Sequence, residues 1–451
     1  MIDVSYLKGK KVAVLGLGRA GLANCIALES ADVKYSAWDD NARAREDALD
    51  KRLNIANSIE DFLSATDIMI ISPGIPHTLP EPHATVKLAK EQGIPLYSDI
   101  HVFREAAPDM DVIGVTGTNG KSTTTTLLGH VLGENMTSQI GGNIGIPSLS
   151  LSAETDATVL ELSSYQIELT DNLNANGVVW LNISPDHIDR HGSIEGYVTA
   201  KLRIFERNKG QGIAVIGIDD KHSKDVADQI SKRDGWTVIP VSMTDKIDNG
   251  ISVIDGQLYK DGKFQIDIST LPTLKGVHNH QNAACVYGIA SYVYNMDNAV
   301  ILAQLQSFDG LAHRQFVVEK KGSVTFINDS KATNAEATAK ALSSFQNIFW
   351  IAGGQAKEGG LSGLEIYKDR IEKTYLIGEA QDDFAVFLDK QDMNYEKCFT
   401  LDKAVSAAYR DASGASSPST VLLSPACASW DQYRSFEHRG DDFETFVKNI
   451  K

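Results

Sequence analysis

The sequence predicts an α/β protein of several domains, and three observations carry that prediction. Short apolar runs bounded by glycine alternate with longer helical patterns: KVAVLG, DIMIIS, DVIGVTG, ATVLELS, GVVWLNI, GIAVIGI, NIFWIAG, KTYLIG and STVLLSPA. The runs are continuously apolar, which predicts parallel sheets covered on both faces, with ligands gathered at the carboxyl ends of the strands. The chain has 451 residues, and at roughly 150 residues per domain it has room for about three.

Composition narrows the class. The chain is 42% hydrophobic and 23% charged, ordinary for a globular protein rather than a disordered or fibrous one. No apolar run approaches the roughly 18 residues of a membrane span. The start MIDVSYLKGKKVAVLGLG has no basic leader, apolar stretch and cleavage site in succession, so the expected compartment is the cytoplasm. Cys25, Cys285, Cys398 and Cys427 are scattered without a metal spacing, which suits free thiols in a reducing compartment. A net charge of −16 argues against nucleic acid as a partner. An anionic substrate would need local amides, basic side chains or metal ions to overcome that background.

The first strand, KVAVL, runs into Gly16-Leu17-Gly18-Arg19-Ala20-Gly21, a G-x-G-x-x-G loop, with Asp39 and Asp40 at the end of the next strand. Glycines there let the backbone approach a pyrophosphate at a helix N-terminus, and the acid is placed for a ribose hydroxyl. Alone, the loop would suit a nicotinamide dehydrogenase or any other nucleotide diphosphate binder. A seam follows near IPLYSDIHVFREAAPDMD, and a fresh strand begins at about Asp111.

A second glycine loop lies between the strand DVIGV and the helical run TTTTLLGHVL: Gly114-Val115-Thr116-Gly117-Thr118-Asn119-Gly120-Lys121-Ser122. Its amides would cradle phosphates, its lysine would reach the terminal phosphate groups, and its serine would ligate magnesium. Val115 stands where the strict P-loop pattern has glycine. Magnesium requires further oxygen ligands. Glu161, ending the strand ATVLEL, and His187, in NISPDHIDRHG after the strand GVVWLNI, stand at the same carboxyl edge. Either alone would be an ordinary solvated residue; together beside one phosphate loop they reinforce each other.

Beyond this, ISVIDGQLYKDGKFQIDIS predicts a β-hairpin attached to the middle of the chain. A long amphipathic helical stretch is expected from His280. The second seam falls at LQSFDGLAHRQFVV, and Asp411 to Thr420 is expected to be only a loop.

The segments TGTNGKST, GGNIG, LELSSYQIE, NISPDHIDRHGSIEGYVTAKLRIF, HNHQNA, GLAHRQF, NDSKATN and LLSPACASWDQYRSFEHRGDDF resemble, in order and spacing, the bacterial Mur ligases. NDSKATN and SPACASWDQY are similar to the branch that adds D-glutamate. The resemblance implies an N-terminal Rossmann-like domain over 1–98 for a UDP-sugar, a central P-loop-type ATPase domain over 99–310, and a C-terminal Rossmann-like domain over 311–451 for an amino acid. It also implies an ATP-dependent, acyl-phosphate-forming ligase of peptidoglycan precursor synthesis, a cytoplasmic monomer joining UDP-N-acetylmuramoyl-L-alanine to D-glutamate. Closure of the C-terminal domain over the central one is expected, to exclude water.

Residue by residue, Gly117, Thr118, Asn119, Gly120, Lys121, Ser122 and Thr123 match the ATP loop. Asn282 matches the adenine contact, Arg314 the phosphate contact and Asp329 the ribose contact. Ser122, Glu161, His187 and Lys201 match the magnesium set, with two metal sites. Lys201 matches the lysine that carbon dioxide carbamylates, since an ammonium would repel a metal that a carbamate helps to hold. Gly18, Arg19, Asp39, Ser72, Gly74 and Asn143 match the sugar-nucleotide side. Lys331, Thr333, Lys357, Ser429 and Phe436 match the incoming amino acid. Departures are Arg19 and Ala20, where leucine and a hydroxyl residue are frequent, His101 in place of an acid, and Trp430 in place of leucine.

Overall fold

A computed structural model of the chain describes residues 1–171, 173–206, 210–357 and 359–450. The chain forms two compact units, Met1–Phe308 and Asp309–Lys451.

The first unit holds two sheets. One has four parallel strands in the order Lys34–Trp38, Lys11–Leu15, Ile68–Ile71, Leu96–Tyr97. Its strands are apolar on both sides because both sides are covered: Val12, Val14, Ile68 and Ile70 pack with Cys25 and Leu28. Ala13, Leu15, Met69 and Ile71 pack with Phe62, Val86 and Ala89.

The other sheet has nine strands, ordered Lys263–Asp267, Gln257–Lys260, Ile251–Ile254, Trp236–Ser242, Gly212–Gly217, Gly177–Trp180, Val112–Thr116, Ala157–Glu161, Ser138–Gly142. Pairing is parallel from Ser138–Gly142 to Ile251–Ile254 and antiparallel for the last two strands. Strand Val112–Thr116 lies between Ala157–Glu161 and Gly177–Trp180, so the chain crosses from one side of it to the other. A crevice opens at the carboxyl end of a strand where the order reverses in this way.

Three sequence expectations change here. The expected hairpin is a three-stranded meander that extends the nine-stranded sheet, with Gly256 and Gly262 at positive φ in its turns. The stretch expected as one amphipathic helix from His280 is two helices, Val277–Tyr292 and Asn298–Ser307. The first is buried along all of Gln281–Ser291 and packs on the helix Lys121–Leu132, so no polar face was needed. Asp411 to Thr420 is not all loop: helix Leu401–Ser413 runs into it, and strand Ser419–Leu423 begins before its end.

The main sheet of the second unit has six strands, ordered Phe316–Lys321, Val324–Asn328, Ser419–Leu423, Ile348–Gly353, Ile371–Ile377, Tyr395–Phe399, with the first pair antiparallel and the rest parallel, and a separate antiparallel pair joins Gln355–Ala356 to Cys427–Ala428. Helices Leu401–Ser413 and Phe436–Asn449 cover one face. Ala335–Ser344 and Gln381–Lys390 cover the other. Among the described residues, no helix is long and apolar enough to cross a membrane.

Candidate active site

The second glycine loop follows the fully buried strand Val112–Thr116 and opens the helix Lys121–Leu132. Gly117 has φ +146° and Gly120 φ +88°. A Cβ on Gly120 would stand 2.4 Å from Asn282 Oδ1, so only glycine lets the loop and this buried asparagine approach. The segment after strand Gly177–Trp180 pins the loop: Thr118 N–H donates to Asn182 O (2.8 Å) and Asn119 N–H to Asn182 Oδ1 (2.9 Å). Lys121 Nζ curls back to Gly117 O (3.1 Å) and Thr118 O (2.8 Å), which lays its charge across the loop. No acid occupies the helix's first turn, leaving that end positive.

Behind the loop, Glu161 ends its strand 2% exposed. Asn143 donates through Nδ2 to Glu161 Oε1 (2.8 Å) and through its backbone N–H to Glu161 O (2.9 Å). Oε2 of Glu161 is buried with no hydrogen-bond partner. A buried carboxylate oxygen in that condition suits a cation or donor supplied by a ligand.

Lys201, in helix Ile194–Leu202, is 1% exposed. Its Nζ donates to Thr116 Oγ1 (3.0 Å) and Gly117 O (3.1 Å) and lies 4.7 Å from the Tyr197 ring centre. Burial, and then the Lys121 ammonium, push its pKa well below the ordinary lysine value against the pull of Asp186 and Glu161. Its enclosure therefore makes the charged form costly to keep.

His187 sits in the left-handed region (φ 52°) at the start of helix Ile188–His191, and partial desolvation lowers its pKa. Ser122 is buried at the head of the loop helix. Among the described residues, no three His, Cys, Asp or Glu side chains cluster to hold a metal by themselves. A magnesium ion would need hard oxygen donors, and the Ser122 hydroxyl and the orphaned Oε2 of Glu161 are donors of that kind.

The first glycine loop, also in this unit, is shaped by contact. Gly16 has φ +94°, and a Cβ on Gly21 would lie 1.8 Å from Gly16 O. Ser72 Oγ donates to Gly16 O (3.2 Å). Asp39 accepts the amides of Leu17 (2.8 Å) and Asn41 (2.9 Å), so its carboxylate fastens the loop. Gly18 caps helix Arg19–Ser30, and the Arg19 guanidinium donates to Gly145 O, two residues after Asn143. Arg190 donates to Gly74 O (3.3 Å) and Ile75 O (3.2 Å).

In the second unit, Asp329 is buried and accepts from Ser424 Oγ (2.7 Å) and Gln315 N–H (3.2 Å). Burial outweighs these bonds and raises its pKa to about 7. Arg314 is exposed. Lys331 Nζ lies 5.7 Å from the Phe436 ring centre. Thr333 is half-buried, and exposed Lys357 lines a surface pocket with Asn334, Ala335, Gly360 and Ala426. Ser429 is buried, while Trp430 is 71% exposed.

Sequence reasoning missed Thr116, Asn182 and Tyr197 around the phosphate loop. Tyr197 carried a signal, since it precedes Lys201 by one helical turn. It also missed Arg439, which is 1% exposed and donates to Ser330 O (2.9 Å) and Cys427 O (3.1 Å), tying together the loops that carry Lys331 and Ser429.

Residues 115–290 match the Mur ligase middle domain. The chain is 44% identical to the UDP-N-acetylmuramoylalanine–D-glutamate ligase of Paramagnetospirillum magneticum, over 99% of this chain and 98% of that one. Its fold is similar to the solved UDP-N-acetylmuramate–alanine ligase MurC of Thermotoga maritima, with TM-score 0.62 and 16% identity over 98% of this chain and 100% of that one. It is also similar to the MurF ligase of Thermotoga maritima solved in complex with ADP, with TM-score 0.54 and 16% identity over 100% and 98% of the two chains. By its full-length identity to the first of these, the chain belongs to the UDP-N-acetylmuramoylalanine–D-glutamate ligase family of Mur ligases.

Proposed function

We propose that this chain joins UDP-N-acetylmuramoyl-L-alanine to D-glutamate at the expense of ATP, with residues 1–98 holding the sugar nucleotide, 99–310 the ATP and 311–451 the amino acid. The observation that carries the chemistry is the unpartnered carboxylate oxygen of Glu161, buried at the edge of a phosphate loop with a buried lysine behind that loop. Full-length likeness to the D-glutamate ligases supports the choice of substrates.

Gly117 to Thr123 and Lys121 Nζ bind the triphosphate, Asn282 the adenine, Arg314 a phosphate and Asp329 the ribose. Gly18, Arg19, Asp39, Ser72, Gly74 and Asn143 hold the sugar nucleotide. The carboxylate of its L-alanine unit attacks the γ-phosphorus, the bond to ADP breaks, and an acyl phosphate results. Two anions must meet for this, and the charges of Lys121 and Arg314 reduce their repulsion. Lys331, Thr333, Lys357, Ser429 and Phe436 orient D-glutamate, whose amine attacks the acyl carbon. Phosphate leaves and an amide remains.

Ser122, Glu161, His187 and Lys201 would hold magnesium in two sites; when bound, the metal neutralises charge on the transferring phosphoryl group. Lys201 reaches that role by adding its neutral amine to carbon dioxide, forming an N–C bond and releasing a proton to leave a carbamate. Asn143 keeps the Glu161 carboxylate aimed by holding its other oxygen. The test is phosphate release from ATP, which must require UDP-N-acetylmuramoyl-L-alanine together with D-glutamate and no other amino acid of a panel; release at full rate without either would sink the reading.

A further inference from the structure

The segment 187–192 cannot orient itself. Its helix, Ile188–His191, is a single turn, too short to be stable alone, and it opens on a left-handed His187. What holds it is a set of contacts made by Arg190 and His191. The Arg190 fork donates to two successive carbonyls, Gly74 O and Ile75 O, at 3.3 and 3.2 Å. Its guanidinium carbon lies 4.3 Å from the centre of the Tyr165 ring, and that ring is 5.0 Å from the ring of His187. His191 Nε2 pairs with Ser164 Oγ at 2.9 Å, and its ring stacks on Tyr165 at 5.5 Å. A second tether runs parallel, from His77 Nε2 to Glu168 Oε2 (3.3 Å), the same oxygen that His191 Nδ1 faces at 3.8 Å.

One end of this strap is therefore the turn after Ile68–Ile71, which belongs to the first sheet, and the other is the residue beside the phosphate loop. We propose that Arg190 is a positioning residue that couples occupancy of the sugar-nucleotide site at Gly74 to the placement of His187 for its metal. This rests on the roles assigned above to Gly74 and His187. A sugar nucleotide that immobilises the 74–75 turn fixes the carbonyls that the guanidinium grips, and the one-turn helix with His187 follows. The fork is what allows this: a planar guanidinium spans two carbonyls at once, while a lysine ammonium is a point donor.

Coupling of this kind is reciprocal and measurable as a ratio of binding constants, commonly about 5- to 150-fold. The test is Mn2+ binding to the full chain with a non-hydrolysable ATP analogue, followed by electron paramagnetic resonance, with and without UDP-N-acetylmuramoyl-L-alanine. In the parent chain the sugar nucleotide is expected to tighten Mn2+ by at least about 5-fold. Arg190→Ala and Arg190→Lys are each expected to reduce that ratio to near unity while both ligands still bind singly. Should Arg190→Ala lose its thermal transition, Arg190→Lys decides. A parent chain that binds both ligands without coupling overturns the proposal, as do variants that retain the full ratio. A parent chain that binds neither ligand overturns the functional reading instead.

Discussion

The two glycine loops of the first unit begin alike and end differently. Each follows a buried parallel strand and opens a twelve-residue helix whose first turn holds no acid. Each needs glycine where a Cβ would strike a neighbour, at Gly21 and at Gly120. Behind the first loop lies Asp39, whose oxygens accept backbone amides and so serve the loop itself. Around the second lie Glu161, with a buried unpartnered oxygen, and Lys201, enclosed with a depressed pKa. The difference teaches that glycine geometry reports a phosphate, whereas buried charge left over after folding reports a reaction.

The sharpest way to break that comparison is to remove charge at each loop and ask which kinetic constant moves. Lys121→Ala is expected to lower kcat by about 10²- to 10³-fold, the usual cost of losing one preorganised donor at a developing charge. Glu161→Gln and Lys201→Gln are expected to match it, and 13C-bicarbonate NMR should show a carbamate carbon in the parent chain that Lys201→Gln lacks. Asp39→Asn is expected to raise KM for the sugar nucleotide with kcat retained, the sign of uniform binding. Equal losses of kcat at both loops would erase the distinction.

Next in size are the glycines. Gly21→Ala puts its Cβ 1.8 Å from a backbone carbonyl, which must move; Gly120→Ala, at φ +88°, meets the end of the Asn282 side chain at 2.4 Å and Leu181 Cδ1 at 3.3 Å. We expect Gly21→Ala to lose stability by about 1–3 kcal/mol, the range for overpacking. Gly120→Ala, strained by its left-handed backbone, is expected to lose less stability, about 1 kcal/mol, and to lose ATP affinity as well. Thermal melts with and without ATP separate the two, and a reversed order would show that the first loop is the more yielding.

How much of this was legible in the sequence follows the same division. Strands such as Ile68–Ile71 and Ile348–Gly353 read plainly because burial on both faces leaves unbroken apolar runs. Strands Lys34–Trp38 and Tyr395–Phe399 lie at sheet edges, where KYSAW and YEKCF carry polar residues, so no apolar run marked them. Both glycine loops were local and therefore visible. Burial of Lys201 was not, because its enclosure depends on Thr116 and Gly117, 85 and 84 residues away in the chain. Motif resemblance named that lysine; only the packing gives the physical reason its pKa falls. The grip of Arg190 on Gly74 was equally hidden, being a contact between side chain and backbone across two sheets' loops.

A smaller effect is expected at Asp329, the proposed ribose contact. Asp329, with its pKa raised to about 7 by burial, is ionised above that pH and protonated below it. A ribose hydroxyl donates best to the ionised form, so KM for ATP is expected to rise as pH falls from 8 to 6, by at most about tenfold per unit below the pKa. Asp329→Asn should give a weaker and flatter profile. A parent profile with no inflection near 7 would separate Asp329 from nucleotide binding.

The smallest expected change is at Arg19, and it tests the comparison from its quiet side. This exposed guanidinium joins the first loop to Gly145, two residues beyond the asparagine that holds Glu161. If the first loop only binds, Arg19→Ala costs no more than one solvent-accessible hydrogen bond, about 1 kcal/mol or roughly fivefold in KM for the sugar nucleotide. Its kcat should stay within twofold. A fall in kcat as large as that of Glu161→Gln would mean that Arg19 steadies the carboxylate through Gly145 and Asn143, and that the binding loop is part of the reacting one.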